Sequence, residues 1–303
     1  MVMVPEEYIR AGRIAAEVRE YARKKYYVGH TLLEICEELE HMIRSKGGEP
    51  AFPCNVSLNE VAAHYTAEPA DTTEVRDGDV LKVDIGVHIN GYIADTAVTL
   101  CYSSRHSVLV EACEDALKEA LKIARSGVRA GEIGRVIEST IRSYSLKPIQ
   151  NLSGHSIKQY TIHAGRSIPN IWTIGSFTLH ENEVYAIEPF VTTNDGSGVV
   201  YNGDISNIFS IVSRKRVNDA DSDRLLEMLW DRFKTLPFTL RWIVDGLGYD
   251  IKDAKSILDL LIKKKVVRTY PILVEGNEQF VAQAEHTIIA VKEGSVVITR
   301  SLV

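Results

Sequence analysis

Two aspartates, Asp84 and Asp95, lie in a segment whose other residues are mostly apolar, KVDIGVHINGYIADTAV at 82–98. Asn90 and Gly91 in its centre are the strongest short signal for a two-residue β-hairpin turn. With that turn, the two aspartates share one face of the hairpin as diagonal neighbours, about 7–8 Å apart at the backbone. A buried carboxylate is costly unless a positive group lies beside it. The hairpin therefore predicts either a site for a hard metal ion or two exposed aspartates.

Other potential metal ligands lie at the ends of apolar runs or beside glycine. Glu188 follows the apolar run in AIEPF, and Glu285 precedes another in AQAEHTIIAV. His155 and His163 occur in the polar, glycine-containing segment NLSGHSIKQYTIHAG. The four carboxylates together carry four negative charges, which two divalent cations balance, with a neutral histidine as a fifth ligand. If the fold brings these side chains together, they predict a hydrolytic site with two metal ions.

The elements that position these residues follow from apolar periodicity and turn signals. The spacing predicts one helix over 5–25 and a second helix from Thr31, where Thr31 and Glu34 form a capping-box pattern. The remaining predictions are a hairpin over 80–100, helices over 106–126 and 132–144, and short strands over 149–213.

The stretch 216–268 differs from the rest, because DSDRLLEMLWDRFK, FTLRWIVDGLG and KDAKSILDLLIKKK predict three short helices that are followed by a strand. We interpret it as a helical insertion within one α+β domain that spans residues 1–303. A faint repeat supports two related halves. In DVLKVD at 79–84 and EVYAIE at 183–188, an acid opens a strand and another acid lies five residues on.

The composition argues against several classes of function. The chain has 303 residues, a net charge of −6 and no dense Lys/Arg tract, so specific nucleic-acid binding is not expected. Its four cysteines lack CxxC spacing, which predicts reduced thiols. The N-terminal segment is charged and amphipathic, and no apolar run reaches the ~20 residues that span a bilayer. We therefore expect a cytoplasmic protein without a signal peptide or a membrane segment.

Five segments together resemble the type 2 methionine aminopeptidases: FPCNVSLNEVAAHYT, KVDIGVHINGYIADTAV, NLSGHSIKQYTIHAGRSIPNI, AIEPF and AQAEHTII. The resemblance implies the pita-bread fold, with two pseudo-symmetric α/β halves around a dinuclear metal centre and a winged-helix-like insertion. It also implies that the protein removes the N-terminal methionine from nascent proteins, favouring a small second residue. That setting allows a transient contact with the ribosome.

The resemblance also implies a role for each matching residue. Two divalent ions (Co, Mn, Fe or Zn) would be held by five ligands: Asp84, Asp95, His155, Glu188 and Glu285. Asp95 and Glu285 would bridge the two ions, Asp84 would bind one of them, and His155 and Glu188 would hold the other.

Six residues also have roles in catalysis or substrate binding according to the same resemblance. Glu188 would also act as general base and then as general acid. His64 would contact the substrate backbone, and His163 would bond the scissile amide and its oxyanion. The methionine pocket would be lined by Phe52, Ile162 and Tyr270.

Type 2 is favoured over type 1 because type 1 relatives lack the insertion, and the absence of a long charged N-terminal extension suggests an archaeal-like chain. Two alternatives remain open. A proline-specific aminopeptidase or dipeptidase shares the fold and ligands, although such chains usually carry an extra domain before the catalytic one. A pita-bread binding module without catalytic activity is the other, and the intact ligand set argues against it.

Overall fold

The computed structural model describes residues 4–301, and within this range it contains seven helices and eighteen strands. The helices are α1 (Glu6–Lys24), α2 (Leu32–Ser45), α3 (Ser107–Ile123), α4 (Ala130–Ser143), α5 (Ala220–Phe233), α6 (Leu240–Leu247) and α7 (Ile251–Lys263). The strands of the N-terminal part are β1 (Glu49–Pro50), β2 (Asn55–Leu58), β3 (Val61–Ala63), β4 (Val80–Ile89) and β5 (Tyr92–Cys101). The middle strands are β6 (Lys147–Pro148), β7 (Ser153–Ile157), β8 (Ser167–Pro169), β9 (Val184–Ile187), β10 (Phe190–Thr192), β11 (Val200–Asn202) and β12 (Ile208–Ile211). The last strands are β13 (Phe238–Thr239), β14 (Val267–Tyr270), β15 (Leu273–Glu275), β16 (Val281–Gln283), β17 (His286–Val291) and β18 (Gly294–Val297).

The first half of the molecule packs α1 and α2 against the long hairpin of β4 and β5. The hairpin turns at Asn90 and Gly91, and both adopt a positive φ, as a two-residue turn of this kind requires. The predicted register is confirmed, because Gly86 lies opposite Asp95. Strands β1 and β2 pair with the other edge of β4. The inward side chains of both helices and of the hairpin form one buried hydrophobic core.

The start of α2 confirms the predicted capping box. The Thr31 hydroxyl accepts a hydrogen bond from the Glu34 N–H, and the Glu34 carboxylate accepts one from the Thr31 N–H. Two of the N–H groups that a helix start leaves unpaired are thereby satisfied.

The second half packs α3 and α4 against a five-stranded antiparallel sheet in the order β18-β17-β9-β7-β8. A smaller sheet, β16-β10-β6, continues the layer. Alanine and isoleucine side chains from the two helices meet the inward faces of β9, β10 and β17 in a second core. Each half therefore covers one face of an antiparallel sheet with two helices, which confirms the α+β class.

Helices α5 to α7 form a separate hydrophobic cluster, drawn from residues 209–267, against the sheet β13-β12-β14. One part of the prediction for this stretch is wrong, because Phe238 and Thr239 form a strand rather than the start of a helix. Phe238 pairs with Phe209 of β12, and its ring stacks on that of Phe233, so packing favours the extended backbone here. The domain boundaries, 1–303 with an insertion at 216–268, stay a prediction.

Two further findings concern the whole of the described chain. All four cysteines are free, as predicted. Within residues 4–301, no helix combines the length and apolar character that crossing a membrane requires.

Candidate metal and peptidase site

One cavity of about 410 Å³ lies between the two halves of the molecule. All ten residues that the sequence suggested for the site line it: Phe52, His64, Asp84, Asp95, His155, Ile162, His163, Glu188, Tyr270 and Glu285. These residues come from both halves of the fold and from strand β14, which follows helix α7. The tertiary structure thus brings together residues that lie more than two hundred positions apart in the chain.

The hairpin register places the two aspartates. Asp84 lies opposite Ala97 and Asp95 lies opposite Gly86, so both side chains project from the same face. Gly86 is required here because a Cβ on it would approach the Phe52 ring to 2.3 Å. The absence of that side chain leaves room for a ring that lines the cavity close to Asp95.

Threonine hydroxyls join the hairpin to the segment that carries Glu285. The Thr287 hydroxyl accepts from the Asp95 N–H and donates to the Asp95 carbonyl, both at 2.8 Å. The Thr96 hydroxyl donates to the Glu285 carbonyl at 2.7 Å. These buried bonds hold the backbones of Asp95 and Glu285 side by side, although the two residues come from different halves.

His155 and Glu188 come from neighbouring strands of the second sheet. His155 lies in β7 opposite Ala186 of β9, and Glu188 follows the end of β9. The His155 Nε2 atom lies 3.5 Å from Glu188 Oε1 and 3.6 Å from Asp95 Oδ2. Asp95, His155 and Glu285 each offer a ligand atom within 4.8 Å of the others.

The four carboxylates lie close together without a lysine or arginine partner, and this raises their pKa values. Burial raises the pKa of Asp84 to about 7. Burial, and then the charges of Asp84 and Glu188, raise the pKa of Asp95 well above its ordinary value. Burial and neighbouring carboxylates raise the pKa of Glu188 and of Glu285 in the same way.

Lys82 is the nearest lysine in the sequence, and it does not neutralise these acids. Its side chain is only 1% exposed, and its Nζ donates to the Asn59 carbonyl at 2.7 Å. Within the described residues, the acids of the cavity form salt bridges only with His155. Burial lowers the pKa of His155 to about 4, so this histidine is neutral at neutral pH and adds no balancing charge.

The site fits divalent metal ions. Asp84 Oδ1, Asp95 Oδ1 and Glu285 Oε1 are buried and have no hydrogen-bond partner within the described part of the chain. Buried polar atoms are nearly always bonded, so three such oxygens in one cavity indicate a missing ligand. Carboxylate oxygens together with a neutral imidazole are donors that suit Mn, Fe, Co or Zn.

The two other histidines lie beside these acids. The rings of His155 and His163 are 4.4 Å apart in an edge-to-face arrangement. Burial and the neighbouring histidines lower the pKa of His163 well below its usual range. His64 follows β3 with a φ of 67°, and its Nδ1 lies 3.3 Å from the Pro271 carbonyl oxygen.

Several residues that line the cavity were not predicted from the sequence. Its wall also includes Asn55, Ile208, Pro237, Leu273 and Gln283. These residues come from strands β2, β12, β15 and β16 and from the loop before β13. Ordinary apolar or amide residues carry no local signal of function.

Comparison with known proteins shows the family of this chain. The family model of the metallopeptidase family M24 matches residues 6–208. The chain belongs to the metallopeptidase family M24. Similar M24 relatives include the methionine aminopeptidases of Pyrococcus horikoshii, at 44% identity over 97% of this chain and 99% of the relative, and of Methanocaldococcus jannaschii, at 41% identity over 97% and 98%.

Solved structures confirm the pita-bread fold of this M24 protein. A methionine aminopeptidase from Thermotoga maritima superposes with a TM-score of 0.70 at 21% identity and covers 99% of both chains. A thermophilic Arx1 superposes with a TM-score of 0.82 at 18% identity, over 98% of this chain and 90% of that one. An X-Pro aminopeptidase from Thermotoga maritima has a TM-score of 0.59 at 18% identity, and only 60% of its length is covered.

Proposed function

We propose that this M24 metallopeptidase is a type 2 methionine aminopeptidase, which removes the N-terminal methionine from nascent proteins. The observation that carries the proposal is the cavity in which four largely buried carboxylates and a neutral histidine meet, and in which none of these acids pairs with a lysine or arginine of residues 4–301. The full-length similarity to curated methionine aminopeptidases supports the substrate. We place the reaction in the cytoplasm, where nascent chains and the ribosome are accessible to it.

The proposed ligands of two divalent ions are Asp84, Asp95, His155, Glu188 and Glu285. Asp95 and Glu285 would be ligands of both ions, and this role is supported by the hydrogen bonds that hold their backbones side by side between the two halves. When bound, such ions would act as Lewis acids and lower the pKa of a water molecule.

The residues of the chain then have distinct tasks in hydrolysis. Glu188 accepts the proton of the attacking water and passes it to the leaving amine. His163 is neutral at that pH and donates its N–H to the oxygen of the scissile amide, where negative charge develops.

His64 binds the substrate backbone. A carbonyl oxygen can only accept, so the contact with Pro271 requires a proton on Nδ1. In the neutral ring, Nε2 is then left as an acceptor for a substrate N–H. Burial lowers the pKa of His64, which favours this neutral form.

The apolar wall of the cavity is the proposed methionine pocket. Phe52 and Ile162 are buried, and Tyr270 is half-buried beside His64. A hydrophobic slot of this kind recognises an unbranched apolar side chain through the area it buries. We assign the enzyme to type 2 because helices α5 to α7 form a cluster of their own between Glu188 and Glu285.

Peptide hydrolysis tests this function. The purified protein is loaded with Co²⁺ or Mn²⁺ and assayed on Met-Ala-Ser, Met-Lys-Ser and an Xaa-Pro peptide, with a chelated sample as the control. We expect release of methionine, faster from Met-Ala-Ser because its second residue is small. Preference for the Xaa-Pro peptide, or the absence of metal uptake and activity, would overturn the proposal.

Replacement of His163 tests the role of that residue. His163→Ala removes a donor to the oxyanion, so kcat is expected to fall by ~10²-fold or more. His180→Ala is the matched control, because His180 is exposed and outside the cavity. A kcat for His163→Ala equal to that of the control contradicts the role.

A further inference from the structure

Arg241 is a buried arginine of helix α6 that touches the segment carrying His64. We propose that Arg241 is a positioning residue, through which the helical part of the molecule holds His64 in its working conformation. The inference rests on the proposed function for the role of His64, and it assigns a task to helices α5 to α7. Its experimental test can fail while the proposed function stands.

The contacts of Arg241 with the segment 64–67 are direct. The side chain is 2% exposed, its Nε donates to the Ala67 carbonyl at 2.7 Å, and one terminal nitrogen donates to the Thr66 hydroxyl at 3.1 Å. Asn207, next to strand β12, donates to the Thr66 carbonyl at 2.8 Å. Two buried side chains from the 207–241 region thus fix the backbone just after His64.

Glu40 of α2 fixes the guanidinium from the other side. Arg241 donates to both oxygens of this carboxylate, at 2.9 and 3.2 Å, and the pair is 2% exposed on each partner. The same carboxylate accepts from the Trp242 Nε1 at 2.7 Å and from the Cys54 N–H at 3.1 Å. The two hydrogen bonds to one carboxylate fix the plane of the Arg241 guanidinium. The Nε–H of Arg241 therefore keeps one direction and does not rotate freely.

His64 needs such support because its backbone is in a strained conformation. A φ of 67° lies in the left-handed region, which residues with a Cβ adopt only when their surroundings enforce it. The Pro271 carbonyl holds the ring Nδ1 at 3.3 Å, and the Tyr270 ring packs edge-on at a centroid distance of 5.9 Å. Without the bonds to Thr66 and Ala67, the backbone can relax and turn the imidazole away from the cavity.

A double-mutant cycle on kcat/KM separates positioning from general damage. The four proteins are wild type, Arg241→Met, His64→Ala and the double variant, each in full length, loaded with Mn²⁺ and assayed on Met-Ala-Ser per bound metal. We expect Arg241→Met to lower kcat/KM by about 10- to 100-fold, as a displaced catalytic group does. In the His64→Ala background the same substitution should change kcat/KM by less than about twofold, because residues that act as a unit are non-additive.

Two further variants serve as controls for the double-mutant cycle. Arg241→Lys keeps a cation beside Glu40 and loses the Nε bond to Ala67, so it should fold and still show most of the defect. Arg44→Met is the matched control. Arg44 lies 3.9 Å from Glu40 and stacks over Trp242, but none of its hydrogen bonds or ion pairs within the described chain reaches residues 64–67.

A spectroscopic readout is independent of activity. Imidazole nitrogen chemical shifts of His64, assigned with His64→Ala, should report a proton fixed on Nδ1 in the wild type and a mixture of tautomers in Arg241→Lys. Equal losses in both backgrounds of the cycle, or an unchanged tautomer in Arg241→Lys, overturn the inference. If the wild type does not release methionine, the proposed function fails, and the tautomer measurement alone decides whether Arg241 positions His64.

Discussion

Among the buried carboxylates of the described chain, the Glu40 carboxylate and those of the cavity have opposite surroundings. The Glu40 carboxylate accepts hydrogen bonds from Arg241, Trp242 and the Cys54 backbone, so both of its oxygens are satisfied by the chain itself. In the cavity, Asp84, Asp95 and Glu285 each keep a buried oxygen that has no partner within residues 4–301.

The difference shows which buried charges belong to the fold and which belong to a ligand. A buried carboxylate with an arginine and a full set of donors is a structural element. A group of carboxylates that raise one another's pKa values, and that lack a cation, is stable as a charged site only when something else supplies the positive charge. The following predictions test this contrast, from the largest expected effect to the smallest.

Removing one of the two carboxylates proposed to bridge the ions should abolish activity without harming the metal-free fold. We expect Asp95→Asn and Glu285→Gln each to lower kcat/KM by at least ~10³-fold, which corresponds to ~4 kcal/mol of transition-state stabilisation.

Because the pKa of Asp95 is raised in the folded state, its ionisation costs stability at pH 7, and Asp95→Asn should raise the Tm of the metal-free protein. Calorimetry in a chelator checks this, with the exposed Asp77→Asn as the control. A lower Tm for Asp95→Asn contradicts the contrast.

The opposite result is expected at Glu40. Glu40→Gln leaves Arg241 buried without its charge partner, so the free energy of unfolding should fall by roughly 3–5 kcal/mol. Urea unfolding measures this. Glu49→Gln is the control, because the Glu49 side chain is exposed where it pairs with the half-buried Arg44, and pairs with a solvent-exposed partner contribute ~0–1 kcal/mol. Similar losses in both variants would mean that burial does not distinguish the two pairs.

Metal ions should stabilise the folded protein only by binding in the cavity. At a free Mn²⁺ concentration one hundred times Kd, one bound ion adds ~2.7 kcal/mol to the free energy of unfolding. We expect thermal shift assays to show this increase in the wild type and in Glu40→Gln alike, and a smaller increase in Glu285→Gln. An equal increase in Glu285→Gln would place the ion elsewhere.

The smallest effect concerns His88, at the hairpin end. Its Nδ1 accepts the Gly91 N–H at 3.1 Å, and burial lowers its pKa to about 4 from an ordinary value of 6.5. Between these values the unfolded chain binds a proton that the folded chain does not. Stability should therefore be complete above pH 6.5 and fall by roughly 2–3 kcal/mol towards pH 4. His88→Gln keeps an acceptor that does not titrate, so its unfolding free energy should show a shallower fall over this range. Parallel pH profiles for both proteins contradict the assignment.

Much of the fold follows from local signals in the sequence. The turn at Asn90 and Gly91 determined the register that puts Asp84 and Asp95 on one face, and the structure has that register. The capping box predicted the start of α2. Phe238 and Thr239 were predicted wrongly, since their extended conformation depends on pairing with β12. The metal roles, the methionine pocket and the domain boundaries stay predictions.

The sequence by itself determined the residue types of the site, the register of its hairpin and the helices that cover both halves. These features depend on residues within one or two turns of each other, where periodicity and turn geometry are decisive. Only the tertiary structure decided that Thr287 and Asp95 are bonded, that Glu40 and Arg241 form a buried pair, and that His64 is held with a positive φ. Such pairings depend on which distant elements pack together, and apolar periodicity indicates which face of an element is buried but not what it packs against.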